Sequence, residues 1–134
     1  MVILFSERKS KTEREIIKIL CGYGAGYISD KAITGGASSF TLVSEYKKTD
    51  IKLKSCIAVF TEETDRFNGQ SFPPCTVGIC EDRNQKALEL FKNSRIPVIS
   101  CGMSAKNTVT LSSLNSTSLL AALQRTVTDC RGNA

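Results

Sequence analysis

Several short stretches of this chain carry residue types that could bind or transform a ligand. Thr34-Gly35-Gly36-Ala37-Ser38-Ser39 sets flexible glycines beside hydroxyls, a combination that can turn backbone N–H groups toward a phosphate. Gly35, Gly36 and Ser38 are therefore candidate anion ligands. Gly102-Met103-Ser104-Ala105-Lys106-Asn107-Thr108 follows an apolar run ending at Cys101. Ligands of open α/β sheets bind beyond the carboxyl ends of parallel strands, which makes Gly102, Ser104, Lys106 and Asn107 a second candidate group. Both stretches have plainer uses, as a tight loop and as a polar turn between strands.

Two acidic clusters, Glu62-Glu63 with Asp65 and Glu81-Asp82, each follow an apolar run. On neighbouring parallel strands their carboxylates would meet at one sheet edge. Asp65, Glu81 and Asp82 are then candidates for Mg²⁺ or for acid–base work. Helix capping by Asp82 and solvated loop positions for the others are the plainer reading. Gly22-x-Gly24-x-Gly26 has neither the spacing nor the strand-then-helix setting of a dinucleotide fingerprint and reads as a helix stop.

The chain has no histidine. That removes Ser-His-Asp and Cys-His catalysis and the commonest metal ligand. Six cysteines are present without a Cys-x-x-Cys pair, and Cys56, Cys80 and Cys101 lie in apolar runs, so they read as buried thiols. Cys101 could act as a nucleophile only if a neighbour lowered its pKa.

These residues must be positioned by one domain. The 134 residues, 41% hydrophobic and 23% charged, suit a single α/β unit spanning 1–134. Ten Lys/Arg face six Asp/Glu in residues 1–54, against eight and seven in residues 55–134. This mild excess, without a nucleic-acid motif, reads as a solvated surface. No apolar stretch reaches membrane-spanning length, and Ser6-Glu7-Arg8-Lys9 follows Met1-Val2-Ile3-Leu4-Phe5 in an order opposite to a signal peptide. A cytoplasmic protein is expected.

Val2–Phe5 reads as a strand, and residues 9–21 as a helix with Ile16, Ile17, Ile19 and Leu20 at helical spacing. Residues 39–46 and 50–60 read as an antiparallel hairpin turned at Tyr46-Lys47-Lys48-Thr49-Asp50. A long polar loop over 61–74 precedes a strand at 76–80 and a helix opening at Glu81-Asp82-Arg83-Asn84 and running to about 93. Short strands follow at 97–101 and 108–111. Asn115-Ser116-Thr117 would cap a last helix over about 118–129, with Leu119, Leu120, Leu123 and Val127 as its apolar stripe.

Residues 61–114 resemble the latter part of the central domain of Mur ligases. Phe60-Thr61-Glu62-Glu63-Thr64-Asp65-Arg66-Phe67-Asn68-Gly69 stands where that family has an acidic Thr-Asn-x-x-x-Asp-His-Leu-Asp-type loop. Glu81-Asp82 and Ile99-Ser100-Cys101-Gly102-Met103-Ser104 are similar to the family's next two strand ends. The Gly-rich Lys-Thr phosphate loop has no counterpart and Arg66 replaces the histidine. The resemblance therefore implies a Rossmann-like sheet but no ATP-dependent ligation, and the chain also resembles short bacterial proteins, which implies a bacterial source.

The expected fold is a three-layer α/β sandwich with a mixed sheet of about six or seven strands that includes an antiparallel hairpin. The expected function is non-catalytic, the binding of a partner protein or a phosphate-bearing ligand by a cytosolic domain without a cofactor. A small Mg²⁺-dependent enzyme, or a homodimer formed through the hairpin edge, is the alternative.

Overall fold

The computed structural model describes residues 1–115, 117–127 and 133–134. Among these residues nine strands form one sheet: β1 (Val2–Phe5), β2 (Gly26–Ile28), β3 (Ile33–Thr34), β4 (Thr41–Glu45), β5 (Ser55–Phe60), β6 (Cys75–Glu81), β7 (Val98–Gly102), β8 (Val109–Leu114) and β9 (Leu119–Leu123). Their order is β3-β2-β4-β1-β5-β6-β7-β8-β9. The seven inner strands run parallel, and an antiparallel strand closes each edge. Two helices, α1 (Lys11–Gly22) and α2 (Gln85–Asn93), join β1 to β2 and β6 to β7. These crossovers travel in opposite directions along the sheet. Right-handed connections therefore place the helices on opposite faces, as a three-layer sandwich requires.

β1 is central because every residue in it is apolar and both of its edges can be paired. Leu4 lies between Ser44 of β4 and Val59 of β5. Alternation sends Ile3 and Phe5 to one face with Cys56, Ala58, Phe60 and Cys80, and α2 covers them with Ala87 and Phe91. Gly78 on β6 lets Phe91 approach, since a Cβ there would stand 2.6 Å from the ring. On the opposite face Leu4, Leu42 and Ser44 are buried. α1 turns inward Glu13, which is buried, and the half-buried Ile16, Ile17 and Leu20, at i, i+3, i+4 and i+7. Ile19, from the same apolar run, faces water.

The expected middle hairpin is corrected. β4 and β5 do not pair with each other; both run parallel to β1, one on each side. Residues 46–54 form the crossover between them. Ile51 and Leu53 owe their apolar character to packing on the core from outside the sheet. Gln70, itself buried, fastens this crossover as a strand would: Thr49 N donates to its Oε1 at 3.0 Å, and its Nε2 donates to Thr49 O at 2.7 Å.

The expected last helix is also corrected. Residues 119–123 form β9, paired antiparallel to β8 from Leu119 opposite Leu114 to Leu123 opposite Val109. Asn115 Oδ1 accepts from the backbone N–H groups of Thr117 and Ser118, and Asn115 N donates to Ser118 O at 3.0 Å. An Asn side chain that binds the N–H groups two and three residues on can start a helix or make a turn. Here it makes the hairpin turn. Residues 128 and 129 of the expected helix lie outside the described residues. No helix among the described residues is long and apolar enough to cross a membrane.

Candidate functional site

Seven parallel strands end on one rim of the sheet. The segments leaving six of them are Ser6-Glu7-Arg8, Ser29-Asp30, Tyr46-Lys47, Thr61-Glu62, Asp82-Arg83 and the loop from Met103 to Asn107, and β8 runs on into the turn at Asn115.

At the β5–β1 junction Glu62 acts as a fastener. Its carboxylate accepts from Glu7 N at 3.1 Å and from the hydroxyls of Ser10 and Thr61. Ser10 is in turn the N-cap of α1, taking the N–H of Glu13 at 3.0 Å. Asn84 caps α2 through Ala87 N and donates to Glu62 O at 2.9 Å. One residue thus ties both helix starts to the end of β5. In many nucleotide-binding folds a phosphate sits at the first helix N-terminus. Here the Glu62 carboxylate already takes that place.

The main cleft lies on the other side of β1. Its volume is about 560 Å³, and it is lined by Arg8, Ile28, Ser29, Asp30, Val43, Ser44, Glu45, Tyr46 and Lys47. β4 inserts between β1 and β2 and forms the floor. Arg8 and Asp30 meet across it at 2.6 Å, and the Arg8 guanidinium lies over the Tyr46 ring, 4.9 Å from its centroid. Tyr27 donates to Ser44 Oγ at 3.1 Å below. Burial pushes the Tyr46 phenol up from its ordinary value, so it stays protonated and can donate. Glu45 is raised chiefly by burial, with Lys47 opposing and Asp30 adding. Ser6 Oγ and Glu13 Oε1 are buried and take no hydrogen bond among the described residues. Ser6 N donates to Glu45 O, and Glu13 raises the Tyr46 phenol through its charge, so both residues stand behind the cleft.

The structure unites two groups of residues nominated from the sequence. Asn107 Nδ2 donates to Asp82 Oδ2 at 2.7 Å, and a Cβ on Gly102 would stand 2.5 Å from the same carboxylate. Glu81, Asp82 and Gly102 line a smaller crevice of about 200 Å³. Ser104 shapes the loop by accepting from Lys106 N at 3.3 Å and, through its carbonyl, from Asn107 N at 3.0 Å. Lys106 itself is exposed. Asp65 is spent elsewhere: it binds Lys86 at 2.7 Å and Asn68 at 3.3 Å, and Lys86 holds its carboxyl below the usual range. Among the described residues no three Cys, Asp or Glu side chains come together to hold a metal ion.

Gly35, Gly36 and Ser38 are not on this rim. Their loop packs on residues 24–26, at the amino ends of β2 and β4, with Ser38 N donating to Gly24 O at 2.8 Å. Burial pushes the Cys80 thiol up to about 12 and, with Asp82, raises Cys101. Neither thiol is activated as a nucleophile. No protein-family model matches the sequence, and no curated protein does.

The residues of the main cleft escaped the sequence reading. Arg8, Asp30, Glu45 and Tyr46 look like ordinary surface residues until β4 is placed between β1 and β2. The signal was there in one form: each follows or ends a short apolar run.

Proposed function

We propose that this protein is a cytosolic, non-catalytic domain that binds a small phosphate-bearing ligand in the cleft over β2 and β4. The observation that carries the reading is a cleft of about 560 Å³ at the carboxyl ends of parallel strands, holding two cations, two carboxylates and an aromatic ring. That volume falls within the roughly 300–1,000 Å³ of small-molecule sites. Arg8 and Lys47 suit a phosphoryl group, Asp30 and Glu45 suit sugar hydroxyls, and the face of Tyr46 suits a planar ring. Against catalysis stand the missing histidine, the raised thiols, and the engagement of Glu62 and Asp82 in hydrogen bonds.

Thermal unfolding against nucleotides and sugar phosphates, each with and without Mg²⁺, tests it. A ligand that binds only the folded chain adds about 2.7 kcal/mol at a hundredfold excess over its Kd, and that gain should fall to about half or less in Arg8→Gln. A gain that requires Mg²⁺ and survives Arg8→Gln would move the site to Glu81 and Asp82, the alternative enzymatic reading. No gain from any compound at millimolar concentration would end the small-ligand reading.

One observation favours a second reading, a partner-binding or homodimeric module. Among the described residues β9 is an uncharged edge strand, and its Leu119, Leu120 and Leu123 are 57%, 61% and 62% exposed. Exposed apolar edges recruit further strands. Light scattering at micromolar concentration should then give twice the 14.6 kDa chain mass, and a mass of one chain would remove the dimer.

A further inference from the structure

Arg8 and Asp30 both line the cleft and pair across it, in a contact that a ligand could exchange. They come from different segments, one after β1 and one after β2, with β4 lying between those strands. The bridge runs from Nη2 to Oδ2 at 2.6 Å, and both side chains are solvent-exposed at 54% and 41%. An exposed ion pair of this kind shifts an equilibrium by a factor of about five at most. The guanidinium has five N–H donors, and a phosphoryl group can take two of them in parallel, a geometry that binds more strongly. Arg8 is also held ready. Its guanidinium carbon lies over the Tyr46 ring, 4.9 Å from the centroid, and its segment is anchored by Glu7 N on Glu62 and by the Ser10 cap.

We propose that Arg8 is the phosphoryl-holding residue of the cleft and that Asp30 occupies it in the empty state, so that the ligand's phosphoryl group enters by displacing the Asp30 carboxylate. This rests on the cleft reading above and adds a direction to it. Asp30 competes with the ligand for Arg8, so removing its charge strengthens binding although a residue of the cleft is lost. Lys47, which lines the same cleft, keeps it cationic once Asp30 swings out. Ser29 limits how far Asp30 moves: its hydroxyl accepts from Lys31 N and Ala32 N, both at 3.2 Å, and holds the turn on which Asp30 sits.

Inorganic phosphate is the probe, titrated into the full chain at constant ionic strength and followed by amide and Arg Nε–H shifts. Asp30→Asn should tighten phosphate about three- to tenfold, from the lost competitor and the lost like charge. Arg8→Gln should weaken it at least about tenfold, and Arg8→Lys should fall between, keeping charge without the paired donors. In the Arg8→Gln background Asp30→Asn should bring at most the small gain from lost repulsion, because no competition remains. Both residues are exposed, so amide spectra away from the cleft should stay unchanged and certify the fold. Phosphate binding at the cleft with equal or weaker affinity in Asp30→Asn would overturn the displacement while leaving the cleft standing as a site. Phosphate that moves no cleft amide in either the parent or Asp30→Asn would overturn the assignment of Arg8, and the larger ligands of the thermal panel would then decide the cleft reading separately.

Discussion

Phe60→Ala should remove about 3–5 kcal/mol of folding stability, in the range for deleting a large buried side chain. Domains of this kind are stable by only about 5–15 kcal/mol, so the variant would sit near the edge of unfolding. Phe60 ends β5 opposite Phe5 of β1, and the two rings stack at 4.7 Å with planes 15° apart. The same ring meets Phe67 edge-on at 5.5 Å and Phe91 at 5.3 Å, with Phe72 at 6.4 Å. It therefore joins β1, β5, the short helical turn at Asp65–Phe67 and α2 in one contact set. Neighbours on two central strands cannot move in to fill the hole without breaking the ladder between them. That places the cost at the upper part of the range. Urea unfolding of parent and variant measures it. A loss under about 1.5 kcal/mol would mean that the rings repack freely and that the cluster is looser than its geometry. Phe72→Ala is the internal comparison, since Phe72 is only partly buried and should cost less.

That cluster also explains which parts of the fold were legible in the sequence. β1, β6 and β7 are short, mostly apolar runs and α1 and α2 carry apolar residues at a period near 3.6, and each stands close to where the pattern put it. Gly26–Ile28 and Ile33–Thr34 are three and two residues long, too short to show any period. Missing them hid the left half of the sheet. Without β2, nothing in the sequence said that β4 would lie between two parallel neighbours, and a hairpin with the next apolar run was the local solution. Ile51 and Leu53 reinforced that error, because an apolar alternation produced by packing over a sheet looks like one produced inside it. The last segment failed for a different reason. Leu119, Leu120 and Leu123 fit a helical stripe, and Asn115 fits a cap, yet β8 offered an unpaired edge that a helix would have left open. The rim chemistry followed the same division. Asp82 and Asn107 follow legible strands and were nominated, but as parts of two separate sites. The cleft of Arg8, Asp30 and Tyr46 depends on the hidden strand and could not be assembled.

Gly36→Ala should cost about 2–4 kcal/mol, whereas Gly35→Ala should change stability by less than about 1 kcal/mol. The two residues are adjacent, and in sequence they looked equally suited to cradle a phosphate. In the fold they differ completely. A Cβ on Gly36 would stand 2.3 Å from Gly24 O, 2.3 Å from Gly26 N and 2.4 Å from Ala25 C. All three are backbone atoms, and Gly26 begins β2 and pairs with Thr41 of β4. Nothing there is the yielding end of a flexible side chain, so relief requires moving a strand. Overpacking against atoms that cannot give costs about 1–3 kcal/mol and sometimes more. A Cβ on Gly35 meets nothing within 4 Å. Reducing the freedom of the unfolded chain there can even stabilise by a few tenths of a kcal/mol. Urea unfolding of both variants separates packing from ligand chemistry when the nucleotide panel is repeated on each. If the loop serves packing, Gly36→Ala alone suffers and Gly35→Ala keeps the parent's response to ligand. If the loop instead cradles an anion, Gly35→Ala would leave stability intact and lose that response. The second outcome would move the site from the carboxyl rim to the opposite end of the strands, and with it the reading of Arg8 and Asp30.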